Sequence, residues 1–203
     1  MSPSLLETIA SVVVLGESGV GKTCFTDMFL TGKHFTRYDP TLPFSNHRTL
    51  PLGTQTWDIY PTDLSSTTLR DPAQSNTEYF QRLLADADGI VLLYDVTDWK
   101  SFECVTELAY EAVRTCRGGR PFACVLVGNK VDVLDKGGRR RVGRETAEEW
   151  AGERGCGFVE VSCFDGEAVV GALGMMVGRI REEREGEGKK KRSLGGKLRG
   201  VFG

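Results

Sequence analysis

A short β-branched run, Ser11-Val12-Val13-Val14-Leu15, stops at Gly16 and leads directly into Glu17-Ser18-Gly19-Val20-Gly21-Lys22-Thr23. The run reads as a buried strand. Gly16 to Thr23 matches G-x-x-x-x-G-K-[ST] in full, and a helical stretch opens at Lys22. No other feature constrains the chain as much as this strand–turn–helix order. The glycines let backbone N–H groups converge on phosphate oxygens without Cβ clashes, and the helix N-terminus adds positive potential. Lys22 supplies a point charge for the β- and γ-phosphates, and the Thr23 hydroxyl is a hard oxygen ligand for Mg²⁺. Glu17, Ser18, Gly19, Val20, Gly21, Lys22, Thr23 and Cys24 are therefore the expected phosphate cradle. The motif alone does not separate ATP from GTP.

The remaining periodicity builds outward from this unit. Residues 22–30 read as helix, 32–44 as loop, and 45–52 and 54–60 as two hairpin strands turning near Gly53. Residues 61–76, rich in Ser, Thr, Asp and Pro, read as a long loop. A short helix is expected over 77–87 and an apolar strand over 89–95. Phe102, Val105, Leu108, Ala109, Ala112, Val113 and Cys116 repeat at helical spacing. Strand 122–128, a Gly- and Arg-rich loop, helix 145–154 and strand 157–162 follow. Val169, Ala172, Leu173, Met176, Val177 and Ile180 make a last helical stripe, which packing must hold against its internal glycines. Strands alternating with helices imply an α/β fold: a mostly parallel six-stranded sheet with one antiparallel edge strand and helices on both faces. The 203 residues fit one domain.

Composition narrows the setting. No apolar run approaches the ~18 residues of a membrane-spanning helix. The first ten residues carry Glu7 and no basic residue, so they do not read as a secretory signal. The six cysteines show no CxxC spacing and mostly sit in apolar segments, which reads as reduced thiols in a cytoplasmic, non-secreted protein. The formal net charge of −2 is uneven: residues 188–203 carry +6, leaving −8 on the rest. An acidic body argues against nucleic acid as a partner, and the basic tail alone is a candidate for an anionic surface.

A second motif selects the base. Asn129-Lys130-Val131-Asp132 ends the buried 122–128 strand, on the edge where open α/β sheets bind ligands. An aspartate there can accept from the N1–H and the 2-amino group of guanine. Adenine offers neither and would leave a charged acceptor unpaired, which costs more than the ~1–3 kcal/mol of a neutral one. Asn129 would position the loop, and the Lys130 stem would cover the base.

With both motifs in place the chain resembles a Ras-superfamily small GTPase, a P-loop NTPase, over about residues 10–182. Residues 1–10 are then an N-terminal extension, 11–182 the GTP-binding domain and 183–203 a charged, flexible basic tail. Tyr38-Asp39-Pro40-Thr41 resembles the first switch of the family. The resemblance gives Thr41 a hydroxyl for Mg²⁺ and an N–H for the γ-phosphate, and makes Lys22 and Thr41 the catalytic positions. Leu93-Tyr94-Asp95-Val96-Thr97 resembles the fourth strand. Glu160-Val161-Ser162-Cys163 resembles the last nucleotide loop, with Ser162 and the Cys163 N–H facing the base and Phe164 replacing the usual lysine. His34 or Phe35 stands where the family stacks an aromatic ring on the base. The resemblance further implies GTP or GDP with Mg²⁺ as ligands, protein effectors and regulators at the switches, and a monomer.

The pattern breaks at the second switch. In place of Asp-x-x-Gly-Gln the chain reads Pro61-Thr62-Asp63-Leu64-Ser65. Proline stands for the metal-holding aspartate, leucine for the glycine that senses the γ-phosphate, and serine for the glutamine that orients water. Asp63, or the more remote Asp58, could take over at the metal; the alternative is that both are solvated carboxylates, which is the favoured reading of Asp63. Two functions remain: a signalling switch with slow GTP hydrolysis, or a non-cycling GTP-binding interaction module. The guanine motif opposes a third, a P-loop ATPase or small-molecule kinase. No cysteine follows Cys163, so no prenyl anchor is expected. Lys189-Lys190-Lys191-Arg192 with Leu194, Leu198, Val201 and Phe202 fits an anionic membrane surface, a nuclear-import signal or a disordered solubilising tail.

Overall fold

The computed structural model describes residues 8–33, 46–65 and 77–199, with Ser65 and residues 187–199 as backbone alone. The elements are β1 (Ile9–Gly16), α1 (Lys22–Thr31), β2 (Arg48–Leu52), β3 (Gln55–Ser65), α2 (Glu78–Asp86), β4 (Gly89–Asp95), α3 (Trp99–Glu103), a π-helical segment (Cys104–Ala109), α4 (Tyr110–Cys116), β5 (Ala123–Asn129), α5 (Val131–Asp135), α6 (Arg144–Glu153), β6 (Gly157–Glu160) and α7 (Gly166–Arg199). The strands form one six-stranded sheet in the order β2-β3-β1-β4-β5-β6. Only the β2–β3 pairing is antiparallel.

Why the strands read as unbroken apolar runs is visible in their side chains. Val12 and Val14 of β1, Val91 and Leu93 of β4, and Val125 and Val127 of β5 face a core shared with α1 and α7. Their alternates Val13, Leu15, Ile90, Leu92, Cys124 and Leu126 face a second core with α2, α4 and α6. A parallel strand buried on both faces has no position left for a polar residue. The glycine-bearing stripe of α7 is held as expected: Val169, Leu173, Met176, Val177 and Ile180 are all buried.

Four expectations change. Residues 61–65 are strand, not loop: β3 continues along β1, with Pro61 opposite Val12 and Ser65 opposite Gly16. Pairing with the antiparallel β2 ends where Arg48 faces Ile59, so Pro61 lies where β3 has a ladder on one side only, a place that tolerates a residue without an N–H. Residues 131–135 form the short helix α5 inside the stretch read as loop. The helix over 102–116 contains a π segment, where the Thr106 hydroxyl donates to the carbonyl of Phe102 at 2.8 Å and so competes for a backbone acceptor, and Leu108 of its stripe is exposed. Finally, α7 does not stop at residue 182. Glu183 accepts from the Ala123 N–H at 2.7 Å, and Arg184 bonds the Ile9 carbonyl at 2.9 Å and Asp88 at 2.6 Å. These contacts latch the helix to the amino ends of β5, β1 and β4.

Candidate functional site

The loops that leave β1, β4, β5 and β6 converge at the carboxyl edge of the sheet. Gly21, at φ 101°, caps α1, a backbone conformation open to glycine alone at no strain. A Cβ there would also meet the Asn129 amide nitrogen at 2.5 Å, so the phosphate loop lies directly on the β5 loop. Lys22 donates from Nζ to the Glu17 carbonyl at 2.8 Å, curling over the loop it belongs to. Burial lowers its affinity for a proton, and Asp63 and then Glu17 work against that. The Ser18 N–H donates to Glu17 Oε1 at 3.1 Å, while Val20 and Cys24 are buried beneath the loop.

Thr23 faces β3. Its hydroxyl donates to Asp63 Oδ2 at 2.7 Å. The added length of β3 carries Asp63, two residues beyond the proline that replaces the expected acid, onto the phosphate-loop threonine. Asp63 is exposed, as the solvated reading favoured on sequence has it, but it lies on a strand and has Thr23 as a partner. Asp58 instead accepts from the Thr49 hydroxyl at 2.7 Å, within the hairpin. A hydroxyl and a carboxylate so placed are hard oxygen donors, the chemistry Mg²⁺ takes.

On the other side Asn129 joins three loops. Fully buried, it donates to the Val20 carbonyl at 2.7 Å and accepts from the Cys163 N–H at 2.9 Å. Lys130 follows in the left-handed region, φ 69°, and its Nζ pairs with Asp95 Oδ2 at 2.8 Å. Asp132 accepts from the Ser162 hydroxyl at 2.8 Å and from Lys136 Nζ at 3.1 Å. Partial burial pushes the Asp132 carboxyl up, but the bonds from Ser162 and Lys136 prevail and hold it below the ordinary aspartate value. Ser162 Oγ also accepts from the Phe164 N–H at 3.3 Å, leaving the Phe164 ring largely exposed. Behind this loop Glu160 receives Arg140 at 2.5 Å and Arg144 at 3.1 Å.

The structure thus brings Glu17 to Cys24, Asn129, Lys130, Asp132, Ser162 and Cys163 to one edge. His34, Phe35 and Thr41 lie outside the described residues. Two members of the cluster were not assigned a role from sequence. Asp95 ends β4 opposite Asn129 in register and also accepts from the Thr97 N–H and hydroxyl; an acid closing a buried strand beside the base motif was the available signal. Lys136 is a surface lysine four residues after Asp132, with no such signal.

The model of the Ras family matches residues 11–182. The chain belongs to the Ras family. Its relatives include Ras-like protein family member 11B of Mus musculus, 30% identical over 154 residues, or 76% of this chain and 61% of the relative. The same-named protein of Danio rerio is 30% identical over 157 residues, 77% and 63% of the two chains. Ras-like protein 2 of Mucor circinelloides f. lusitanicus is 27% identical over 181 residues, 89% and 86%. The matched part thus spans about three-fifths of the member 11B relatives. The Ras family is one of small GTPases, and the six-stranded mixed sheet is its fold. Among the described residues no helix is long and apolar enough to cross a membrane.

Proposed function

We propose that this Ras-family chain binds GTP and GDP at the carboxyl edge of its sheet and acts as a signalling switch with slow GTP hydrolysis. One observation carries the reading: Asn129 ties the phosphate loop to the base loop, and Asp132, oriented by Ser162, stands beside it. Guanine N1–H and 2-amino groups would take the Asp132 oxygens, displacing the exposed Lys136. Lys22 would exchange the Glu17 carbonyl for phosphate oxygens, regaining the charge stabilisation that burial denies it. Thr23 and Asp63, with Thr41 by family resemblance, would hold Mg²⁺, which when bound neutralises charge on the β- and γ-phosphates.

Hydrolysis needs a positioned water as well. Residues 61–65 offer no glutamine, and Leu64 pairs with Leu15 in the ladder where the family has a sensing glycine. Turnover at or below the ~10⁻⁴ s⁻¹ of an unassisted site is expected. That commitment of β3 to the sheet also favours a second reading, a GTP-binding interaction module that hardly cycles. Effectors and regulators would engage the switch segments. The protein would be cytoplasmic and monomeric, and its basic tail would touch an anionic membrane surface.

Two measurements decide between these readings. Nucleotide released from the purified protein should be guanine, and single-turnover hydrolysis of added GTP should be slow. Adenine nucleotide alone would end the proposal, and turnover near ~10⁻² s⁻¹, the rate of a site with its own arginine, would end the slow-switch reading. Equal retention of GTP and GDP with no turnover would select the module. For the tail, full-length protein should sediment with anionic vesicles at low salt more than a truncation after Gly188; equal sedimentation would remove the membrane role.

A further inference from the structure

The nucleotide edge uses the carboxyl ends of the strands. At the opposite end of the sheet β5 and β6 run parallel with Val125 opposite Gly157, and Cys124 and Cys156 each immediately precede that pair. Neighbouring strands lie about 4.8 Å apart, inside the ~4.4–6.8 Å Cα separation that a disulfide spans. Both cysteines belong to the same core layer. Both thiols line the same cavity, and Cys156 Sγ lies 3.9 Å from the Arg154 carbonyl.

The two thiols are not equivalent. Burial holds Cys124 protonated. Its neighbour Cys124, with Arg179 and Arg154 nearby in support, holds the Cys156 thiol below its ordinary value against the effect of burial. The cavity they share is about 360 Å³, and its walls include Arg114, Arg120 and Arg154. Arg154 is anchored there, its guanidinium 4.5 Å above the Trp150 ring. A second cysteine pair provides an internal contrast. Cys24 and Cys163 also touch, at the nucleotide edge, where burial and then the Cys163 contact raise the Cys24 thiol, with Asp27 and Asp132 adding to it. Nucleophilic attack needs a thiolate in a positive setting, which the arginines around the first pair supply.

We propose that Cys156 and Cys124 form a redox-active thiol pair that reacts with small anionic disulfides of the glutathione class. The Cys156 thiolate attacks one sulfur of the ligand disulfide. That S–S bond breaks, a mixed disulfide forms on Cys156, and the other half leaves as a thiolate. Cys124 then gives its proton to water and attacks the Cys156 sulfur, expelling the second half as a thiolate. The protein loses two thiols to one intrachain disulfide, and the ligand disulfide is reduced to two thiols. The arginine-lined cavity supplies recognition of the ligand carboxylates, and the pairing of β5 with β6 supplies the resolving thiol.

The purified full chain, incubated with oxidised glutathione at neutral pH, is mapped by peptide mass spectrometry without reduction. Two of the six cysteines should be lost, as one Cys124–Cys156 link, with Cys24 and Cys163 still free. Cys124→Ala should stop at a mixed disulfide on Cys156, and Cys156→Ala should leave Cys124 unmodified. Arg114→Ala with Arg120→Ala should slow the reaction with oxidised glutathione about tenfold, as expected for loss of electrostatic steering, and leave the rate with uncharged bis(2-hydroxyethyl) disulfide unchanged. A wild-type protein that gains no Cys124–Cys156 link, or that links Cys24 to Cys163 first, overturns the proposal whether or not the variants fold. Equal slowing with both disulfides overturns the anion recognition.

Discussion

The loop after β5 and the end of β3 border the same sheet edge, yet they are built in opposite ways. After β5 each side chain has a defined partner: Asn129 on Val20 and Cys163, Lys130 on Asp95, Asp132 on Ser162. Along β3 the family's functional positions hold Pro61, Leu64 and Ser65, which contribute backbone to the ladder with β1. The difference separates two demands. Holding a base requires particular side chains in fixed positions, whereas keeping β3 in the sheet requires only that its backbone pair. A chain can therefore rewrite its hydrolytic stretch without disturbing the fold, but it cannot rewrite Asn129 so freely. Asp63 is the exception on the β3 side, one polar side chain that still reaches the phosphate loop.

The sharpest way to break this contrast is Asn129→Ala. It leaves the buried Val20 carbonyl and Cys163 N–H without partners, at about 1–3 kcal/mol each. Thermal unfolding should show a loss of about 2–6 kcal/mol, and guanine nucleotide should no longer co-purify. A stability loss below about 0.5 kcal/mol, the range of ordinary surface changes, would mean that the amide joins nothing.

Asp132→Asn comes next. Two hydrogen bonds to a charged acceptor are worth about 1.5–3 kcal/mol each, so GTP affinity should fall by roughly 10²-fold or more. Preference should move toward xanthine nucleotides, whose 2-oxo group wants a donor. Competition binding with unchanged GTP affinity and unchanged base preference would refute the assignment of the base site.

Asp63→Ala tests the β3 side. Nucleotide release should become about tenfold faster in Mg²⁺ and should respond less to a chelator, while base preference stays guanine, a change of roughly 1.4 kcal/mol. Identical release rates for wild type and variant, with and without chelator, would return Asp63 to the status of a solvated carboxylate.

The smallest effect is a pH dependence from Asp95. Burial pushes its carboxyl up, but the bonds from Lys130 and Thr97 outweigh burial and hold it below the ordinary aspartate value. A depressed carboxyl contributes stability that is fully present above its unfolded pKa of about 3.9 and is lost as pH falls through the lower folded value. Unfolding free energy should therefore decline below about pH 4, and Asp95→Asn should decline less steeply. Parallel acid limbs for the two proteins would contradict the sign.

Much of this was legible in the sequence because the relevant signals are local. Gly16 to Thr23 and Asn129 to Asp132 are short strings whose side-chain chemistry dictates their use, and β4 was bounded from its apolar run alone. The extension of β3 was not legible: Pro61 and the polar residues after it read as loop, and only the ladder offered by β1 turns them into strand. The position of Asp63 depends on that tertiary pairing, so its contact with Thr23 was hidden as well. The π segment escaped because a single hydroxyl, that of Thr106, alters the backbone without changing the apolar stripe. The latch at Glu183 and Arg184 looked like the start of a charged tail because charge pattern does not say what a side chain meets across 60 or more residues.

The Asn129 amide has one further consequence. It fixes the gap between the loop for phosphates and the loop for the base as a calliper set during folding. The entropy of ordering those loops is therefore met before any ligand arrives, and binding need not supply it. Guanosine alone or pyrophosphate alone would engage one jaw, while only a molecule of the span of a nucleoside di- or triphosphate fills both. Under the proposed function such preorganisation would act mainly on how long a nucleotide stays rather than on how fast it enters, and dissociation would be the step for an exchange partner to act on.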